Sequence, residues 1–386
     1  MIFGARVTQA REFAQLTQAQ LAASVGVAQA TIADLERGRI QPSSELLAKI
    51  ASSLHFDPQF FSREVPQHFA LGTLEFRARA SMSAKEKKHA YQYAHLVFEL
   101  ASLLASRLNM PRIRLPRIEG DPEECAALIR SELGVSPEGA VPNLTDVLER
   151  SGVLVFALSP LYETAFDRVD GFSVWAASGN KLTPAIFLSA KAPGDRQRLT
   201  MAHEIAELAI SDMPPGRDRE RKANRFAGAF LMPADRFREE LLPPFSMLDF
   251  IDIKKRYGVS IQAAMVRAHH LNIIDERRYH ALYQQLSARG WRREEPFPVV
   301  PEKPRALHKM IELLYGNPIN VVKLSADSKL SPILLRNILS VHASRSDLAG
   351  ATRLQETGKV ISFPTPGITR SATSEYDATG GDIEEM

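Results

Sequence analysis

The sequence predicts a multidomain chain: an all-α N-terminal bundle, an α+β middle domain and a helical C-terminal region. At 386 residues it is longer than one hydrophobic core usually serves. Residues 1–62 space Val7, Leu16, Leu21, Val25, Ile32, Leu35, Ile50 and Leu54 three and four apart between Gly and Pro punctuation, which predicts five short helices. The runs GVLVFAL, DGFSVWA and PAIFLS, ending at Ser189, then predict a small sheet set between helices, and residues 245–345 return to helical spacing.

Composition narrows the class. Apolar residues make up 45% and charged residues 24%, an ordinary globular balance. The single cysteine, Cys125, cannot form an internal bridge. No run approaches the roughly 18 apolar residues that a membrane span needs, and MIFGARVTQAREF carries charges where a secretory signal is apolar. A cytoplasmic protein without membrane association is expected. The formal charge of +3 is unevenly spread. Residues 1–60 balance five Lys/Arg against five Asp/Glu, whereas residues 63–118 carry ten against four. The last sixteen residues hold five acids and no base in a Ser/Thr/Gly-rich setting, the composition of a disordered tail.

Five segments follow: 1–65, 66–118, 119–245, 246–345 and 346–386. In the second, LGTLEFRAR suggests a brief extended piece, and Ser83 caps a long helix running through Arg107. Its stripe of Tyr91, Leu96, Phe98, Leu100, Leu103 and Leu104 must be covered, either by the next domain or by a second copy of the chain. In the third, helices are expected near 122–133 and 143–151, then from Arg198 and from Arg219 to Leu231, broken by Pro214-Pro215-Gly216. The Pro-rich EEPFPVVPEKP reads as a linker within the fourth.

LTQAQLAASVGVAQATIADLERGRIQPSSELLAKIASSL has the spacing of a bihelical DNA reader. Thr17 caps a short helix, Gly26 permits a left-handed exit, and a second helix starts near Ala28. Over about 60 residues this all-α helix-turn-helix bundle resembles the Xre family of phage-repressor-like domains. The resemblance implies that Gln18 contacts phosphate, that Gln29, Ala30, Thr31 and Asp34 face base edges, and that Arg37 and Arg39 touch the DNA backbone. Gln can bond adenine through two hydrogen bonds and Thr can meet a thymine methyl. Arg77, Arg79, Lys85, Lys87 and Lys88 in the basic segment are available to further phosphates. One such unit reads few base pairs, so a homodimer on double-stranded DNA with an inverted-repeat operator is expected.

In LTMAHEIAELAI, His203 and Glu207 are four apart and share a helix face. In the zinc-peptidase pattern H-E-x-x-H both His bind metal and the Glu is the general base; here Glu207 replaces the second His. DRVDGFSVWA, PAIFL, DRQRLTMAHEIAE and ERKANRFAGAFLMP, in that order over residues 120–240, resemble the zincin-like IrrE/ImmA metallopeptidases. The resemblance implies metal ligands His203, Glu207 and Glu220, with Glu204 as base if the centre is active. Two anionic ligands would make zinc-bound water less acidic and hydrolysis slow, so zinc is a candidate cofactor whose presence stays open. Glu204, Glu207 and Glu220 would otherwise crowd together unless a cation intervenes. Arg196, Arg198, Arg217 and Arg219 are near in sequence, the last two reading as a solvated face. His269 and His270 read as packing or surface residues rather than substitute ligands.

KKRYGVSIQAAMVRAHHLNII, GWRREEP and PEKP resemble the continuation of long Xre–IrrE fusions to about residue 305. Residues 320–342 are punctuated like a second helix-turn-helix but lack a glycine corner, which suggests a packing role. The expected function is a transcription regulator, a repressor or autoregulating antitoxin-like protein, whose IrrE/ImmA-like domain acts as sensor or scaffold. The rival is a metallopeptidase cleaving itself or a partner repressor, and a third reading is neutralisation of a toxin.

Overall fold

A computed structural model describes residues 1–66, 68–69, 83–158, 170–179, 181–214 and 216–342. LGTLEFRAR, Arg77, Arg79 and the acidic tail lie outside the described residues.

Local sequence rules build the N-terminal bundle. It comprises α1 (Gly4–Phe13), α2 (Gln18–Val25), α3 (Gln29–Glu36), α4 (Ser44–Leu54) and a 3-10 turn, Pro58–Ser62. Thr17 and Gln20 form a reciprocal capping box at the start of α2, and Gly26 ends it at φ 73°. Val7, Leu21, Val25, Ile32, Leu35, Ile50 and Leu54 form the core. Gly4 is required by packing, since a Cβ there would lie 2.3 Å from the Leu35 carbonyl oxygen.

The next helix, α5 (Ala84–Ala105), starts at a Ser83/Glu86 capping box. Of the two covers open for its apolar stripe, packing within the chain is realised. Tyr93 stacks on Phe13 of α1 at 6.3 Å, and Phe98 meets Phe156 of the sheet at 6.5 Å.

The sheet consists of β1 (Leu154–Leu158), β2 (Gly171–Ser178) and β3 (Lys181–Ser189) in the order β1-β3-β2. β1 runs parallel and β2 antiparallel to β3. Because side chains alternate along a strand, the two faces serve different cores. On one face Phe156 and Phe172 flank their register partner Phe187, with ring centroids 5.1 and 4.7 Å away. This face shares a core with α5 and the N-terminal bundle. On the other face Val155, Ile186 and Leu188 join a second core.

That second core gathers α6 (Pro122–Glu132), α7 (Leu144–Arg150), α8 (Gly194–Ala209), α9 (Arg217–Leu231), α10 (Ala234–Glu240), α11 (Met247–Tyr257), α12 (Ile261–His270) and α13 (Glu276–Ala288). The last three helices, α14 (Ala306–Tyr315), α15 (Val321–Ser328) and α16 (Pro332–Leu339), return to the first core. α8 begins at Gly194, four residues before the expected Arg198: Pro193 precedes its first turn and the Gly194 amide donates to the Val299 carbonyl at 3.1 Å. A Pro-Gly pair reads as a turn until that tertiary contact is known. Between α15 and α16, Lys329 takes the left-handed corner at φ 62° that glycine would fill more cheaply.

Two polar clasps hold the cores in place. Arg6 of α1 is fully buried and gives Glu99 of α5 two hydrogen bonds of 2.8 Å. Glu149 of α7, half-buried, accepts from the backbone amides of Arg305 and Ala306, both at 2.9 Å, and so anchors the start of α14. Burial pushes the Glu149 carboxyl up to about 7, although the two backbone donors pull it down.

Arg6→Ala leaves the part-buried Glu99 without its partner and empties a fully buried site, and is expected to cost about 3 kcal/mol in denaturant unfolding. A loss below about 1 kcal/mol would show that the seam is held elsewhere. For Glu149 the folded pKa lies above the unfolded one, so its contribution is complete below pH 4.5 and is lost as pH rises toward 7. Glu149→Gln should remove a decline of up to about 3 kcal/mol across that window, measured as unfolding free energy against pH.

Candidate metal centre and DNA-reading face

The candidate centre forms where α8 and α9 pack. Met201, Ala202, Ile205, Ala206 and Ala209 bury one face of α8, leaving His203 and Glu207 on the adjoining face toward α9. His203 Nε2 lies 4.0 Å from Glu207 Oε1 and 3.6 Å from Glu220 Oε2 on α9. One ligand atom from each residue falls within 4.8 Å of the others. Zinc bonds of about 2.1 Å place tetrahedral ligand atoms roughly 3.4 Å apart, so a small contraction makes this trio fit. His203 Nδ1 lies 3.0 Å from Asn224 Oδ1. That oxygen only accepts, so Nδ1 carries a proton and Nε2 is the ring nitrogen turned toward the two carboxylates.

Glu207 departs from a simple ligand. Its side chain is 1% exposed, and Arg219 grips its Oε2 through Nε at 2.7 Å and through Nη2. The expected solvated face is therefore corrected for Arg219. It lies in the first turn of α9, beside Glu220, where packing turns it onto α8. Arg217 is exposed. Arg196 pairs with Asp170 at 2.8 Å and Arg198 pairs with Glu302, so neither serves the cluster.

The expected crowding of three glutamates also fails for Glu204. One residue along a helix turns about 100°, which carries Glu204 toward the sheet, where it is 3% exposed and accepts from Ser173 Oγ of β2 at 2.6 Å. Trp175, two residues on and on the same strand face, donates to the Leu208 carbonyl at 2.9 Å. Ser173 and Asn224 were not recognisable as partners from the sequence, whereas Arg219 was one of four arginines near enough in sequence to serve. Of the first two only Asn224 left a trace, four residues after Glu220 and so on the same helix face. His269 pairs instead with Glu276 at 2.8 Å, and His203, Glu207 and Glu220 form the metal-capable cluster among the described residues.

The second surface is α3. Ile32 and Leu35 are buried, which leaves Gln29 and Ala30 exposed and Thr31 and Asp34 partly exposed. Arg37 and Arg39 are exposed beyond the helix, with the Asp34 carboxylate 3.9 and 3.3 Å away. Gln18 donates one Nε2 hydrogen to Glu36 at 2.8 Å, leaving one for a phosphate. Glu36 also binds Arg11, so α1, α2 and α3 are fixed through a single carboxylate.

Residues 8–61 match the helix-turn-helix family, and residues 148–269 match the IrrE N-terminal-like domain. The chain thus combines a segment matching the helix-turn-helix model with one matching the IrrE N-terminal-like model. The matched segments contain α3 and the His203 cluster, respectively. A comparison with curated proteins finds no significant match. One solved structure, titled "Crystal Structure of ComR from Streptococcus suis", aligns at 11% identity over 91% of this chain and 94% of that one. Its TM-score of 0.15 is too low a likeness to bear on fold or function. No described helix of the helix-turn-helix or IrrE-like parts is long and apolar enough to cross a membrane.

If Glu207 is a ligand, removing the cation from its carboxylate should favour a divalent ion. Arg219→Ala is expected to raise zinc affinity about tenfold or more in a competition titration against a chromophoric chelator. Unchanged affinity would show that Glu207 is not a ligand.

Proposed function

We propose that the chain is a sequence-specific DNA-binding transcription regulator, a repressor or autoregulating antitoxin-like protein, whose IrrE-like domain works as sensor or scaffold. The observation that carries this reading is the face of α3. Its apolar side chains are consumed inside the bundle while Gln29 and Thr31 remain open to a groove. Arg37, Arg39 and the second Gln18 hydrogen would serve phosphates flanking that groove. A homodimer would set two such faces about one helical turn apart on an inverted repeat.

His203, Glu207 and Glu220 would hold zinc in the IrrE-like domain, and a bound zinc would polarise a water or carbonyl. The chain's own residues weaken that chemistry. Arg219 competes for Glu207, and Glu204, the base position, is held by Ser173 against the sheet. Two carboxylate ligands would further lower the metal's effective charge. The cluster's fit to a metal and the Asn224 orienter favour, as a second reading, a peptidase that cuts itself or a partner repressor. In that case zinc-dependent cleavage appears on incubation and Glu204→Gln abolishes it. Neutralisation of a toxin is a further partner reading, tested by pull-down with the neighbouring gene product.

Selection of duplexes from a random pool tests the main reading. A preferred inverted repeat should emerge, with affinity falling steeply with salt. Gln29→Ala or Thr31→Ala should cost about 1–3 kcal/mol of preference at single positions. Arg37→Ala should weaken all sequences alike and reduce the salt slope by about one. Binding that shows neither sequence preference nor salt sensitivity removes the reading.

A further inference from the structure

A cleft of about 980 Å³ lies between the two cores, at the upper end of the range for small-molecule sites. One side is formed by residues 140–143 and the end of α11, the other by residues 299–305 and the first turns of α14. α11 belongs to the core of the IrrE-like domain, whereas α14 shares a core with the DNA-binding bundle.

Charge on this surface is unbalanced. Six basic side chains line the cleft against two glutamates, Glu302 and Glu312. Glu302 is already committed, because it pairs with buried Arg198 and accepts the Thr145 amide at 2.7 Å. Gly258 makes room for that pair: at φ 66° it ends α11, and a Cβ there would lie 2.9 Å from Arg198 Nε. Arg256 is taken by Glu240, and Lys255 lies 4.1 Å over the Phe297 ring. Lys303, Arg305 and Lys309 remain. All three are exposed, and none makes an ion pair with a described residue. Glu149 attracts Lys309, but three like charges on one concave surface still repel one another and focus a positive potential, and a bound anion of several charges relieves both effects. Val300, 82% exposed on the same wall, adds an apolar contact for the rest of such a ligand.

We propose that this cleft binds a small polyanion held by Lys303, Arg305 and Lys309, between α11 and α14. Within the regulator reading, on which this consequence rests, the ligand is a signal delivered where the two cores meet. Phosphate and carboxylate ligands share the required chemistry.

Full-length protein is titrated with inorganic tripolyphosphate and, separately, with citrate, following binding by calorimetry in the absence of DNA. At least one should saturate at one per chain, the tighter of the two identifying phosphate or carboxylate. The Lys303→Glu/Lys309→Glu variant should bind at least tenfold more weakly, and Lys303→Ala, an exposed truncation that leaves the fold intact, at least threefold. Lys181→Glu removes an exposed lysine lining a different cavity and should leave binding unchanged. Saturation by neither anion, or equal weakening by Lys181→Glu, overturns the proposal. With no DNA present, failure of DNA binding leaves this result standing, and absence of anion binding leaves the DNA-binding reading standing.

Discussion

Arg6 and Glu99 join the helix-turn-helix bundle to α5, the long helix that in turn packs against the sheet. A buried guanidinium is tolerated only when its donors are used. Arg6 meets this condition through Glu99, Gln9 and the carbonyls of Arg63 and Glu64. Because a guanidinium–carboxylate pair is directional, it fixes the angle at which α1 lies on α5, which apolar packing alone would leave softer. Arg63, at the end of the bundle, adds a second tie by donating to the Ser328 carbonyl at 2.8 Å. The bundle is thereby bonded both to the long helix and to the C-terminal helices.

The three-stranded sheet is the partition between the two cores. Its Phe156, Phe187 and Phe172 face the core that reaches the DNA-reading helices. Ser173 and Trp175, on the opposite face of β2, hold α8 and its histidine. A packed route therefore connects the metal-capable cluster to α5, through one strand whose alternate residues serve opposite sides. The edge of β2 is tied in as well, since the Ala177 amide donates to the His68 carbonyl at 2.8 Å, just beyond the bundle.

At the centre itself, one substitution changes the electrostatics. A histidine in place of Glu207 would be a neutral ligand with no need of a counter-ion. The carboxylate that stands there is almost wholly buried, and an unpaired buried charge is costly. Arg219 supplies the compensation. The same pairing neutralises Glu207 without a metal while leaving three donor atoms within 4.8 Å of one another.

Local order was legible in the chain because it depends on near neighbours. Thr17, Gly26, Ser83 and the apolar runs GVLVFAL and PAIFLS carry their own caps, corners and strand signals, and the i,i+4 spacing of His203 and Glu207 places both on one helix face wherever that helix lies. The start of α8 at Gly194, the turn of Arg219 onto Glu207 and of Glu204 onto Ser173, and the cleft between α11 and α14 were decided only in three dimensions. Each pairs residues from separate elements, and a charged side chain written beside its neighbours carries no sign of whether water or a distant partner will satisfy it.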